Sequence, residues 1–581
     1  MKRRTVFVLA ACIAVVAFGA ALVGGLALYL RYGGGSGGES SGWSSAQYLD
    51  VHLDGELPEQ PPQAFGTFLE KQPLALRTVV RSLDRAAKDS KVKAVVLRVN
   101  MLPGAGWGKI EELRAAIKRF RASGKEAYAH LEFSGNKEYY LATACSKIYA
   151  VPTGLLDITG LEAEVTFLRG TLDKLGVQAE FVGVGKYKNA PNQFTERGFT
   201  EPHREQMTAL LDSLFAGYVK EIAASRGVSE DKARELIDAG PYDAQEAKEA
   251  GLVDELLYKD ELIDKLDDAD RLTPARYARS SGGGLGLGRP KFALIYIVGE
   301  IILGSSQGDP FGSDGVAGSE TVAEAIREAR EDDDVKAIVI RVDSPGGSGT
   351  ASDVIWREVR LAQEKKPVIA SMGDYAASGG YYVAMGSDAI VAQPGTITGS
   401  IGVFAGKFSL HGLYDKIGFT KEIITRGENA DIFTDYRTWT PAERARVRAL
   451  MESFYEDFIT KAAEGRAEAS GKKISPEDVH RVAQGRVWTG TEALERGLVD
   501  RLGGLDTAIA LAKERAKIDA DTEVELMVLP KRKGLLETLF EQDESLLESR
   551  LPVEVRGLLR WARTLHDGAP SARLPFDLRV R

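Results

Sequence analysis

The chain repeats itself at long range. Val92 to Val99 (VKAVVLRV) returns as Val335 to Val342 (VKAIVIRV). Tyr139-Tyr140-Leu141-Ala142 returns as Tyr381-Tyr382-Val383-Ala384, and Gly251-Leu252-Val253-Asp254 as Gly497-Leu498-Val499-Asp500. The offset stays near 243 residues, too long for a solenoid repeat, so the duplicated unit is a whole domain. Inside each copy strand-like runs alternate with helical ones, the pattern of a parallel sheet built from βαβ units. Val335 to Val342 is a continuous β-branched run, which reads as a strand buried on both faces. The expected fold class is therefore α/β, with two tandem domains. The first copy is expected over 47–279, a Gly-rich linker (SSGGGLGLG at its start) over 280–290, and the second copy over 291–520. An extension follows over 521–581, with a strand-like stretch from Glu523 to Leu529. From Leu535 to Trp561 apolar and charged residues alternate at roughly helical spacing, a face for a neighbouring subunit or a membrane.

The copies differ where chemistry would sit. From Val368 to Ile401 the second copy has an apolar start, the turn Ser378-Gly379-Gly380, and a helical run from Tyr381 to Met385. A serine among small residues at a helix mouth suits a nucleophile, because a substrate backbone can come close and free N–H groups face a developing oxyanion. A serine there also suits a plain helix cap. Upstream, Val335 to Val342 ends in Asp343-Ser344-Pro345-Gly346-Gly347-Ser348 and a helical pattern through Ala362. That turn places backbone N–H groups at the carboxyl end of a sheet, where α/β folds build sites. In the first copy Asn136-Lys137-Glu138 stands in place of Ser378-Gly379-Gly380. It carries instead Phe181 to Ala190 (FVGVGKYKNA), with Lys186 and Lys188; when the Asn-Ala pairs are aligned, Glu428 of the second copy stands opposite Lys188. One copy keeps a serine and the other a lysine, which makes sense for a site formed between copies.

DSPGG, MGDYAASGGYY and PGTITGSIGVF, in this order and spacing, resemble signal peptide peptidase A (protease IV), a Ser/Lys membrane protease family with a ClpP/crotonase-like fold. The resemblance runs from about Tyr48 to Leu511. It implies Ser378 as nucleophile, the N–H groups of Gly347 and Gly379 as oxyanion hole, and a lysine as general base. The long form of the family has its lysine in a G-x-Y-K motif, which matches Gly185, Tyr187 and Lys188. Asn189 and Asn192-Gln193 depart from the family pattern after it, so Lys186 stays a second candidate. The resemblance further implies Ser400 as the hydroxyl that supports the amine, no cofactor and no metal. It also implies peptide substrates, cleaved signal peptides among them, and a homo-oligomer, a tetramer. A lysine base must be buried, since the ordinary ammonium leaves almost no neutral amine at pH 7.

Met1-Lys2-Arg3-Arg4 precedes an uncharged run from Thr5 to Leu30, long enough to span a bilayer. The positive residues are expected to stay cytoplasmic, with residues 1–31 as anchor and 32–46 as a flexible tether. Resemblance and charge together place the chain in a bacterial inner membrane, single-pass, with its bulk in the periplasm. A net charge of −9 argues against nucleic acid as partner. Only Cys12 and Cys145 are present, which excludes a disulfide framework or cysteine metal cluster. The six histidines show no metal spacing; His411 lies nearest Ser378 and is the rival base of a Ser-His-Asp arrangement. No Walker loop or dinucleotide fingerprint occurs, so neither ATP nor NAD is implied. Two rival functions remain: a crotonase-like acyl-CoA enzyme and a catalytically inactive membrane scaffold.

Overall fold

The computed structural model describes residues 46–60, 73–266, 269–280, 288–306 and 315–530, with the backbone of 571–573 and 579–580. The expected anchor, the tether up to Ser45, most of the linker and the run from Leu535 to Trp561 lie outside the described residues. Among the described residues no helix is long and apolar enough to cross a membrane.

The first copy is built on β1 (Gln47–Leu53), β2 (Val92–Val99), β3 (Glu126–Gly135) and β4 (Lys147–Asp157), which lie side by side in parallel. Asp270–Leu272 joins the β1 edge in parallel; Tyr242–Asp243 runs antiparallel on the β4 edge. Between β2 and β3 runs helix α1 (Trp107–Ala122), and helix α2 (Asn136–Ala142) follows β3 directly. Strand β5 (Gln178–Val184) leaves this sheet altogether.

The second copy repeats the plan. Strand β6 (Lys291–Val298) pairs in parallel with β7 (Val335–Ser344), which leads through the short strand β8 (Gly346–Ser348) into helix α3 (Gly349–Gln363). Strand β9 (Val368–Ala377) pairs with β7, and helix α4 (Gly379–Ala384) follows it. Strand β10 (Ile397–Gly399) continues the sheet beside β9 and carries Val487–Thr489 antiparallel on its far side. All but one residue of β7 is buried, the exception being Lys336. A strand covered on both faces has no use for alternation, so its sequence is apolar throughout. The likeness reaches single bonds. The Tyr139 hydroxyl donates to the Leu252 carbonyl at 2.8 Å, and the Tyr381 hydroxyl donates to the Leu498 carbonyl at 3.1 Å.

The second sheet extends past residue 520. Glu525–Leu529 pairs in parallel with β6, from Lys291↔Glu525 to Ile295↔Leu529. The physical reason is the open edge of β6, whose unpaired backbone groups need a partner.

The copies do not stay apart. After β10 the chain forms β11 (Val403–Ser409), which pairs antiparallel with β5 along its full length, from Val403↔Val184 to Ser409↔Gln178. This third sheet also holds β8 and the segment Ser571–Arg573, which lies antiparallel to β8 and touches β11 through Phe404↔Ser571. Ala377, Ile397 and Val487 of the second copy pack into the first copy's core, and Val182 of the first packs into the second's. The described residues from Ala46 onward belong to one compact unit.

Candidate active site

Strand β9 delivers Ser378 into a bend with φ 56° and ψ −112°. Residues with a side chain avoid such backbone, and where it occurs the surroundings enforce it. Here the Ser378 N–H donates to the Gly399 carbonyl at 2.8 Å, and the Ser378 carbonyl accepts from Tyr382 N–H at 2.8 Å. The side chain does not cap α4. That leaves the hydroxyl for other use, which the sequence could not decide. Gly380 presses this turn against the other one: a Cβ there would come within 2.7 Å of the Ser344 carbonyl oxygen. Gly347 lies in β8, where a Cβ would collide with the backbone of Ile301, and Gly379 opens α4; both glycines are buried.

Lys188 comes from the loop after β5, which β11 carries to the second copy. Its Nζ lies 2.7 Å from Ser378 Oγ, 3.1 Å from Ser400 Oγ and 3.2 Å from the Ser400 carbonyl oxygen. Ser378 and Ser400 are fully buried and Lys188 is 6% exposed. Burial alone holds the lysine pKa well below its ordinary value, and no ion pair among the described residues involves Lys188. A neutral amine has two N–H donors and one lone pair. In that form the Ser400 carbonyl and hydroxyl would take the two N–H groups, which would leave the lone pair for the Ser378 hydroxyl.

Lys186 points elsewhere. Its Nζ lies 3.1 Å from the Tyr187 hydroxyl and 3.5 Å from Glu205 Oε2, with the side chain half exposed. Hydrogen bonding to Tyr187 raises its pKa, the opposite of what a base requires. His411 is exposed and lies 3.6 Å from Asp415. Asn136, at the place of Ser378 in the first copy, is a structural hub. It donates to the Gly160 carbonyl, and its Oδ1 accepts from Thr159 N–H, Gly160 N–H and the Tyr218 hydroxyl. Glu428 is exposed.

Sequence reasoning missed the segment that holds the lysine in place. Gln484-Gly485-Arg486 of the second copy wraps the Lys188 loop: the Gln484 carbonyl accepts from Tyr187 N–H at 2.8 Å, and the Arg486 carbonyl from Ser400 N–H at 2.7 Å. Two left-handed glycines interlock there. A Cβ on Gly185 would strike Gln484, and one on Gly485 would lie 2.5 Å from the Lys188 nitrogen. Among the described residues four non-glycines have positive φ, and three of them, Ser378, Ser400 and Gln484, gather at this site. A glycine in a Gln-Gly-Arg run carries no signal by itself; only the loop across from it gives it meaning.

A serine hydroxyl buried against an uncompensated amine, with small residues on each side, is equipment for nucleophilic attack. Comparison with known proteins assigns the class: this is a serine peptidase. A sequence model described as Peptidase family S49 matches residues 119–273 and 360–519, one stretch in each copy. Together they cover more than half of the chain, which therefore belongs to peptidase family S49. The chain is 38% identical to a protein of Arabidopsis thaliana named "Serine protease SPPA, chloroplastic", over 83% of this chain and 71% of that one. It is 32% identical to "Protease 4" of Salmonella typhi, over 85% of this chain and 82% of that one. It is also 34% identical to a "Putative protease slr0021" of Synechocystis, over 47% of this chain and 91% of that one.

Proposed function

We propose that the chain is an endopeptidase in which Ser378 is the nucleophile and Lys188 the general base. The observation that carries this is the buried Lys188 amine, with no carboxylate partner among the described residues, 2.7 Å from the Ser378 hydroxyl. The neutral amine takes the hydroxyl proton as Oγ attacks the scissile carbonyl carbon. The N–H groups of Gly347 and Gly379 receive the negative charge that develops on the carbonyl oxygen. The ammonium then gives its proton to the leaving amine, and the bond to nitrogen breaks. A water molecule, deprotonated by the same amine, hydrolyses the acyl-enzyme ester. Ser400 holds the amine through its hydroxyl and carbonyl, which leaves the lone pair for Ser378.

The substrates of this reading are extended apolar peptides, cleaved signal peptides foremost. Two things support it. A relative in Enterococcus faecium bears the name "Putative signal peptide peptidase SppA". The chain's own Ser571–Arg573 also lies antiparallel on β8, the manner in which a peptide adds to an exposed sheet edge. An apolar product left in a bilayer would suit a protease anchored by residues 5–30 in a bacterial inner membrane and facing the periplasm, as a homo-oligomer, a tetramer.

The test is to incubate purified protein with a released signal peptide and map the fragments by mass spectrometry, beside Ser378→Ala. Internal cleavage by wild type and none by the variant is expected. Cleavage by Ser378→Ala at even a tenth of the wild-type rate would remove Ser378 from the mechanism, since losing a nucleophile costs about four orders of magnitude or more.

A further inference from the structure

The serine turn and the Gly-Gly turn sit on neighbouring strands, and the ladder between those strands breaks just before them. β7 and β9 pair in step from Ile338↔Val368 to Val342↔Met372, then the register shifts and resumes only at Ser344↔Ala376. Asp343 and Asp374 fall in the break. The N–H groups of Asp374 and Tyr375 donate to Asp343 Oδ1, at 3.0 and 3.1 Å. Side chains therefore take over from the ladder at this point. Asp343 precedes Gly347, and Asp374 precedes Ser378, by the same short stretch of chain.

The third member of the cluster comes from the other copy. The Asp374 carboxylate caps α1 of the first copy, accepting from Gly106 N–H and Lys109 N–H, both at 2.7 Å. Lys109 Nζ lies 2.8 Å from Asp343 Oδ2 and 3.5 Å from Asp374 Oδ2. All three side chains are more than nine-tenths buried. The fit is close: a Cβ on Gly106 would lie 2.6 Å from Asp374 Cγ, and one on Gly108 2.5 Å from the Gly373 carbonyl oxygen. Two carboxylates buried side by side repel each other, and the strands beneath them are not laddered where they meet. The ammonium is the charge that holds them together.

We propose that Lys109 is a positioning residue: by bridging Asp343 and Asp374 it sets the offset between the Ser378 turn and the Gly347 turn. The inference rests on the roles given to Ser378 and Gly347 above. The first copy then contributes two lysines with different work. Lys188 acts on the hydroxyl, and Lys109 acts behind it, through Asp343 and Asp374.

The test compares Lys109→Met with Lys109→Met/Asp343→Asn in the full chain. The single change keeps the aliphatic stem and removes the charge. kcat should fall about ten- to a hundredfold with KM little changed, the cost of a misplacement of the order of 1 Å at a distance from the chemistry. The second change removes one of the two repelling charges and keeps an oxygen where Asp343 Oδ1 accepts from Asp374 N–H and Tyr375 N–H. It should restore most of kcat, a rescue that loss of packing alone would not produce. A folded Lys109→Met with wild-type kcat overturns the proposal, and so does a double variant no faster than the single one. Where the single variant does not fold, the double one decides: folded and active supports the bridge, unfolded or inactive overturns it. A wild-type chain that neither cleaves peptide nor reacts with a fluorophosphonate at Ser378 fails earlier, and takes the proposed function with it.

Discussion

Lys186 and Lys188 are two residues apart, and their surroundings move them in opposite directions. Hydrogen bonding to Tyr187 favours the ammonium of Lys186, and burial disfavours that of Lys188. Arginine keeps its charge at any workable pH, so Lys188→Arg should abolish cleavage, whereas Lys186→Arg should leave kcat within about twofold. Measured kcat for the two variants checks this, and the opposite result would move the base to Lys186. Activity should rise with pH through the lowered Lys188 pKa, because only the neutral amine accepts the proton. The sign for stability is the same. Between that lowered pKa and the ordinary value of 10.5 the unfolded chain binds the proton that the folded one has released. Lys188 therefore makes the folded state gain stability as pH rises across the window. A kcat/KM profile that falls over the neutral range would contradict a lysine base.

At the scale of elements, the lysine is positioned by a loop from the opposite copy. Gly485 has φ 78°, and its α-carbon faces the backbone of Lys188 with no room for a methyl group. Gly485→Ala places strain and a collision at one point. The left-handed backbone alone costs about 1–2 kcal/mol for a residue with a side chain, and the collision must push the Lys188 loop away from Ser378. A loss of kcat of about tenfold or more is expected in a protein that still folds. A kinetic assay beside a thermal melt separates the two effects; unchanged kcat would show that Gln484–Arg486 does not place the lysine. The strand β5 makes the same point at larger size. It belongs to the first copy by sequence, yet among the described residues it pairs only with β11 of the second.

The whole molecule is held across the copies by buried charge as well as by the shared sheet. Arg341 of β7, with a side chain that is fully buried, pairs with Glu59 at 2.8 Å and with Glu112 of α1 at 2.8 Å. Removing one partner of such a network leaves a charge buried without compensation, which costs about 3–5 kcal/mol. Arg341→Met should therefore lower stability by that order in a denaturant titration, with both copies unfolding together. A loss below 1 kcal/mol would mean that water reaches the site in its place. Cutting the chain within 280–290 should do little by comparison. The halves should stay together on gel filtration and stay active, since β5–β11 pairing and the Arg341 network do not depend on the linker. The second half expressed alone should be inactive, as it lacks Lys188; significant cleavage by it would point to a base within that copy.

The amino-acid order by itself determined the duplication, the α/β class, and the division of a serine and a lysine between copies. These rest on local pattern: β-branched runs, glycine turns and a repeat that survives divergence. The Ser378-Gly379-Gly380 turn was legible for the same reason, since turn and helix start follow from neighbouring residues. The resemblance favoured Lys188 over Lys186, but which lysine lies beside the serine was decided by tertiary structure, because only burial separates the two. Tertiary structure alone freed the Ser378 hydroxyl from helix capping, joined Glu525–Leu529 to the edge of β6, and brought Gln484–Arg486 around the lysine loop. The physical reason is common to all of these. Spacing along a chain governs contacts within one turn or strand, whereas desolvation and close approach depend on segments hundreds of residues away, and their chemistry leaves no periodic mark.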